Sequence, residues 1–157
     1  MKPKIGITPE NLEAVGHLLG LVLADEMVLY VKTRKFHWNV AGESFMELHT
    51  LFESQYHQLE ESIDQTAERI SKLGMPAIGT MEEFGKLATL KESPGKYPAS
   101  PEMKKELLED HEALIIHLRK YIEQCAGTYQ DSGTADFLTG LMEQHETIAW
   151  TLRRYFK

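Results

Sequence analysis

The sequence predicts an all-α protein: a bundle of four long helices, with a short extra helix in the connection between the second and third. Three observations carry this. Apolar residues recur at three- and four-residue spacing over long stretches. Each stretch is preceded by residues that start helices and followed by residues that stop them. No alternating strand pattern and no low-complexity segment interrupts the series.

The first helix opens at Thr8-Pro9-Glu10, an N-cap, a first-turn proline and an early acid. Leu12, Val15, Leu19, Val22, Leu23, Met27, Tyr30 and Val31 then keep helical spacing to about Trp38. Asn39 to Glu43, with Gly42, breaks the pattern. A second helix runs from about Ser44 to Leu73, where Gly74 and Pro76 close it. Thr80-Met81-Glu82-Glu83 has the spacing of a capping box and starts a short helix to about Ala88. Pro94, Gly95 and Pro98 make residues 91–100 a loop. Ser100-Pro101-Glu102 repeats the first start signal and opens a helix to about Tyr129. Asp131-Ser132-Gly133 reads as a turn, and a last helix starts near Thr134, its expected cap. More than twenty residues join the second helix to the third, which is a long crossover and not the tight turn of an up-and-down bundle.

The bulk numbers narrow the function. A chain of 157 residues fits one domain, here 1–157 with a short arm over 1–7, and can bury a core without crosslinks. The lone cysteine, Cys125, rules out an intrachain disulfide and a cysteine-built metal site, and fits a reducing cytoplasm. Met1 is followed by lysines and a proline, which predicts no secretory leader. The apolar stretch from Leu18 to Tyr30 is broken by Gly20, Asp25 and Glu26, which predicts no membrane span. A formal net charge of -7 argues against a basic nucleic-acid-binding domain and suits a protein that gathers cations.

The residues that could carry chemistry are His37, His49, Glu53, Asp64 and Glu68. His49 and Glu53 are four apart on the second helix, and Asp64 and Glu68 repeat that spacing. At ~100° per residue, these four fall within a stripe about 100° wide. Imidazole and carboxylate together suit ferrous iron. Yet an acidic pair at this spacing is usually a solvated face, and a lone histidine is more often packed than ligating. Spacing alone leaves both readings open. It does set a limit, because fifteen residues separate His49 from Asp64, an axial rise of ~22 Å. If all five serve one kind of site, a second chain must contribute, for example across a two-fold axis with antiparallel second helices. The sequence also contains no Glu-x-x-His, the pair on which di-iron centres inside a single bundle are built.

The run Lys35-Phe36-His37-Trp38-Asn39-Val40-Ala41-Gly42-Glu43-Ser44-Phe45-Met46-Glu47-Leu48-His49, continued by Phe52-Glu53 and by Asp64-Gln65-Thr66-Ala67-Glu68-Arg69-Ile70, resembles the signature of the Dps proteins, the mini-ferritins of the ferritin-like superfamily. The likeness extends to Gly133-Thr134-Ala135-Asp136 and Trp150. It implies a ferritin-like bundle assembled into a hollow dodecamer, with ferroxidase sites at two-fold interfaces. His37 and His49 would come from one subunit, and Asp64 and Glu68 from its mate. Glu53 stands where the family commonly has aspartate, so its longer arm would reach the metal or a bridging water. The resemblance implies oxidation of ferrous iron, with hydrogen peroxide preferred over dioxygen, storage of ferric mineral and protection from oxidative stress. Zinc or other divalent ions could occupy the same ligands. Trp38 matches a tryptophan proposed to intercept radicals, although plain packing would explain it as well. Asp131 and Asp136 match acids lining three-fold pores for ferrous ions, although the first also suits a turn or cap and the second a helix dipole.

His17, His57, His111, His117 and His145 make no second ligand set by spacing, and are expected to be partly buried or at the surface. Trp150, Tyr155 and Phe156 are expected to pack the last helix. The cations near the termini are Lys2, Lys4, Arg153, Arg154 and Lys157, too few for strong phosphate binding, so DNA binding should be weak or absent. The competing readings are a DNA-compacting starvation protein with secondary iron binding, and a helical scaffold with no chemistry.

Overall fold

A computed structural model describes residues 3–156; Met1, Lys2 and Lys157, and with them two of the terminal cations, lie outside the described residues. The helices are α1 (Pro9–Asn39), α2 (Phe45–Lys72), α3 (Met81–Leu87), α4 (Ser100–Glu123) and α5 (Ser132–Arg153). A π-helical turn (Gln124–Thr128) follows α4, and a 3-10 turn (Arg154–Phe156) follows α5. Among the described residues there is no strand.

The predicted punctuation is visible in the hydrogen bonds. Thr8 accepts from the Asn11 amide at 3.2 Å to cap α1. Thr80 and Glu83 close a reciprocal capping box on α3. At the end of α2 the Gly74 amide donates to Ser71 and the Met75 amide to Ile70, the paired bonds of a Schellman cap. That cap needs the left-handed backbone of Gly74, at φ +87°.

α1 packs along α2 and α4 along α5, and the two pairs close on a common core. Val15, Leu19, Val22, Leu23, Leu29 and Phe36 of α1 meet Leu48, Phe52 and Leu59 of α2, with Leu107, Leu114, Leu118, Leu138 and Leu152 opposite. α3 lies against α1 inside the crossover. Asp25 of α1 holds that crossover in place: its buried carboxylate accepts from the Thr89 amide at 2.6 Å, the Thr89 hydroxyl at 2.7 Å and the Leu90 amide at 2.9 Å. Despite its polar interruptions, α1 is long and apolar enough to cross a membrane by composition, at a mean hydropathy of 1.6. Two thirds of that apolar window is buried inside the bundle.

Several expectations need correction. α5 begins two residues early because Asp131, and not Thr134, is its cap, accepting from the Thr134 amide at 2.9 Å. α4 ends at Glu123, and the chain goes on to Tyr129 as a π turn. His111 and His145 are not partly buried but wholly enclosed. Trp150 and Phe156 do not pack within the chain and stay about half exposed.

Candidate metal centre

The last turn of α1 and the first turns of α2 bring His37 and His49 together. His37 is buried and His49 half-buried. Their rings stack with centroids 3.8 Å apart and planes 19° from parallel. Each is held by the other's backbone: His37 Nδ1 lies 2.8 Å from the His49 carbonyl and His49 Nδ1 lies 2.9 Å from the His37 carbonyl. A carbonyl only accepts, so both Nδ1 atoms carry the proton. Both Nε2 lone pairs are then free in the neutral rings. This is the arrangement in which a metal-binding histidine is fixed by its other nitrogen.

The carboxylates are placed differently. Glu53 is exposed one turn beyond His49 on α2. Asp64 and Glu68 are exposed farther along the same helix, and Glu68 pairs with Lys72 at 3.0 Å. Asp64 lines a shallow groove with Met27, Tyr30, Glu60, Ile63 and Ala67. One chain thus unites the two histidines and leaves Asp64 and Glu68 apart from them. Among the described residues no three histidine, cysteine, aspartate or glutamate side chains form a finished metal cage. The donor set suits a divalent metal, but within one chain only the two histidines come together.

Three neighbours of the pair carry no spacing signal. The Tyr56 ring meets His37 edge-on at 5.3 Å, and its hydroxyl donates to Glu53 at 3.5 Å. Burial, and after it the Glu53 carboxylate, raises the Tyr56 phenol above its usual pKa. Arg34 donates to the Tyr30 hydroxyl at 2.6 Å and lies over Tyr56 at 4.8 Å. It also lies 5.3 Å from the Trp38 ring, which is 64% exposed. The contacts of Tyr56 with His37 and of Arg34 with Tyr56 join α1 to α2, so only the packing of the two helices reveals them. Trp38 is not core packing in this chain.

Asp131 is buried, and besides capping α5 it pairs with Arg69 at 3.3 Å. Its charge is turned inward within the chain. Asp136 is exposed. Arg153 pairs with Glu112 at 2.6 Å, leaving exposed Arg154 beside it.

Comparison with known proteins gives a consistent picture. The ferritin-like domain family matches residues 17–157. A low temperature-induced protein of Nostoc sp. is 50% identical over 153 residues, covering 98% of this chain and 86% of that protein. DNA protection during starvation protein 2 of Bacillus anthracis is 34% identical over 139 residues, covering 88% of this chain and 93% of that protein. The crystal structure of a Dps protein from Vibrio cholerae, described as a member of the ferritin-like diiron-carboxylate superfamily, superposes with a TM-score of 0.92 at 28% identity, over 100% of this chain and 98% of that one.

Proposed function

The chain belongs to the Dps proteins of the ferritin-like superfamily, and from that premise we propose that it oxidises ferrous iron and stores the ferric product at sites shared between subunits. The observation that carries this is the His37–His49 pair, with two oriented imidazole nitrogens and no carboxylate cage of its own. The pair is flanked by large exposed apolar groups, Trp38, Phe45 and Met46, as a surface awaiting a second copy would be. Asp64 and Glu68, exposed at the other end of α2, are the carboxylates that a two-fold mate would bring. Glu53 is the fifth ligand, or holds a bridging water. The assembly is a homo-oligomer, a dodecamer by family analogy, working in the cytoplasm.

Ferrous iron is the substrate. Two ferrous ions give two electrons to one hydrogen peroxide, two protons are taken up, and two waters leave. Pairing the electrons avoids release of hydroxyl radical. His37 and His49 hold iron with neutral nitrogens, while Glu53, Asp64 and Glu68 supply the anionic charge that favours the ferric state. Asp136, which is exposed, is the candidate for the entry pore, whereas Asp131 is buried and paired with Arg69. DNA binding is weak, because the net charge is -7 and Arg153 is already paired. An anaerobic ferrous titration followed by peroxide, watched by ultraviolet absorbance, tests the reading. Saturation near two irons per site is expected, and a linear unsaturable response overturns it. A DNA-compacting role would instead show as tight, saturable plasmid retention in a gel at physiological salt.

A further inference from the structure

Glu26, Thr66, His111 and His145 come from α1, α2, α4 and α5, one from each long helix, and all four are buried. Their hydrogen bonding is incomplete. Thr66 donates to Glu26 Oε2 at 3.0 Å. His145 Nε2 stands 3.5 Å from Glu26 Oε1, within ion-pair reach but long for a hydrogen bond. His111 Nδ1 and His145 Nδ1 are 2.9 Å apart. Glu26 Oε1, His145 Nε2 and His111 Nε2 have no hydrogen-bond partner. Orphaned polar atoms at this depth weaken a core, so the cluster needs an account other than stability.

Proton counting supplies one. A carboxylate only accepts, so the nitrogen that faces Glu26 carries a proton. Two nitrogens 2.9 Å apart hold one proton between them, because two N–H groups would point their hydrogens at each other. The folded core therefore admits one histidine of the pair as a cation, never both. His145, which faces the carboxylate, is that cation. Burial, and after it the charge of His145, keeps His111 well below the ordinary histidine pKa. In an opened chain both rings take protons near the ordinary value of about 6.5.

Of the helices packed on His111, α5 presents His145 and α1 presents Glu26 behind it, while α2 offers the uncharged Thr66 hydroxyl. The charged residues next to the cluster in sequence are committed elsewhere. Asp110 pairs with Lys32, Glu112 with Arg153 and Glu146 with Arg119, and Asp25 accepts from the crossover amides.

We propose that this cluster is a one-proton lock across the four helices: one shared proton closes it, and acid, by forcing a second onto the histidine pair, opens the contact between α4 and α5. Below about pH 6.5 the opened chain binds a proton that the folded core refuses, so stability falls as pH falls, and above that value the difference vanishes. The lock lies within one chain and needs neither iron nor a second copy.

Unfolding of the assembled protein in guanidinium chloride, followed by circular dichroism, is compared at pH 7 and pH 5.5. One refused proton speeds unfolding by up to about eightfold over that interval. His111→Asn puts an acceptor that takes no proton at the place of Nδ1, and should remove that factor. The other histidines contribute equally to parent and variant, so the difference isolates His111. Glu26→Gln takes away the charge that favours a cationic His145, so both rings then resist protonation and the acid response should steepen. An unchanged acid response in folded His111→Asn overturns the proposal, and so does a response no steeper than the parent's in folded Glu26→Gln. Should either variant fail to fold, hydrogen exchange at the histidine Cε1–H of the parent protein, read by mass spectrometry, decides. A midpoint for His111 below that of a histidine peptide supports the lock, and both rings protonated together in the folded protein overturn it.

Discussion

The molecule holds two histidine pairs, and they are built on opposite plans. His37 and His49 lie at the end of α1, near-parallel at 3.8 Å, with both Nδ1 atoms bonded to main-chain carbonyls. His111 and His145 lie in the core, tilted by 46° at 5.1 Å, and their Nδ1 atoms bond each other. A carbonyl accepts only, so the first pair has one possible proton arrangement, with both free nitrogens facing away from the main chain. An imidazole nitrogen can donate or accept, so the second pair's proton arrangement depends on what else binds. The outer pair is therefore oriented by the fold alone, and in the proposed site its further ligands come from another chain. The inner pair has its whole surroundings within one chain, and its proton arrangement answers to the Glu26 carboxylate that faces His145.

The largest expected effect tests the outer pair. His37→Ala with His49→Ala removes both oriented nitrogens from every site. Loss of an outer-shell partner costs ~10–100-fold, so loss of two direct ligands should slow initial ferrous oxidation by at least about 100-fold. The rise in ultraviolet absorbance after peroxide addition measures this, with light scattering to confirm the assembly. Oxidation at the parent rate would remove the pair from the chemistry.

Sharing between chains gives a more discriminating result. Chains lacking His37 and His49 are mixed, by dissociation and reassembly, with chains carrying Asp64→Asn and Glu68→Gln. Each homogeneous assembly should be inactive. In mixed dimers one site carries both lesions and the other carries neither, so random mixing restores about a quarter of the sites. Sites built within one chain would show no recovery.

The neighbouring acids Asp25 and Glu26 extend the comparison. Asp25 is saturated by two amides and a hydroxyl, whereas one Glu26 oxygen is orphaned. Asp25→Ala leaves the Thr89 and Leu90 amides without their acceptor and frees the crossover. It should cost roughly 2–4 kcal/mol, read by urea denaturation of the assembled protein. A loss below about 0.5 kcal/mol, the scale of an ordinary surface change, would mean that solvent replaces the carboxylate and the crossover is not held by it.

How legible these features were in the sequence follows from their range. Helix order and ends are local, written in apolar spacing and in Thr8, Thr80 and Gly74. The stripe from His49 to Glu68 is also local, and helix rise alone shows that it spans too far for one ion. His111 and His145 are 34 residues apart on separate helices, and no spacing rule links them. The choice of Asp131 over Thr134 as cap was hidden for a similar reason. Both residue types cap helices, and Arg69, which lies 62 residues away, engages the Asp131 side chain and also bonds the Thr134 hydroxyl. Tyr56 and Arg34 were invisible because they meet only after α1 packs on α2.

The smallest effect bears on Glu53, the carboxylate one turn beyond His49 on α2. Its carboxylate receives the Tyr56 hydroxyl at 3.5 Å, the outer limit of a hydrogen bond. If Glu53 binds iron directly, Tyr56 only steadies it, and a bond this long steadies weakly. Tyr56→Phe should then weaken ferrous binding by less than about 10-fold, while Glu53→Gln, which deletes a ligand charge, weakens it by more. Calorimetric titration with ferrous iron under anaerobic conditions separates the two. If Tyr56→Phe costs as much as Glu53→Gln, the carboxylate reaches iron through the phenol's geometry or through a water that the phenol orders. The glutamate would then act through that network and not as a direct ligand.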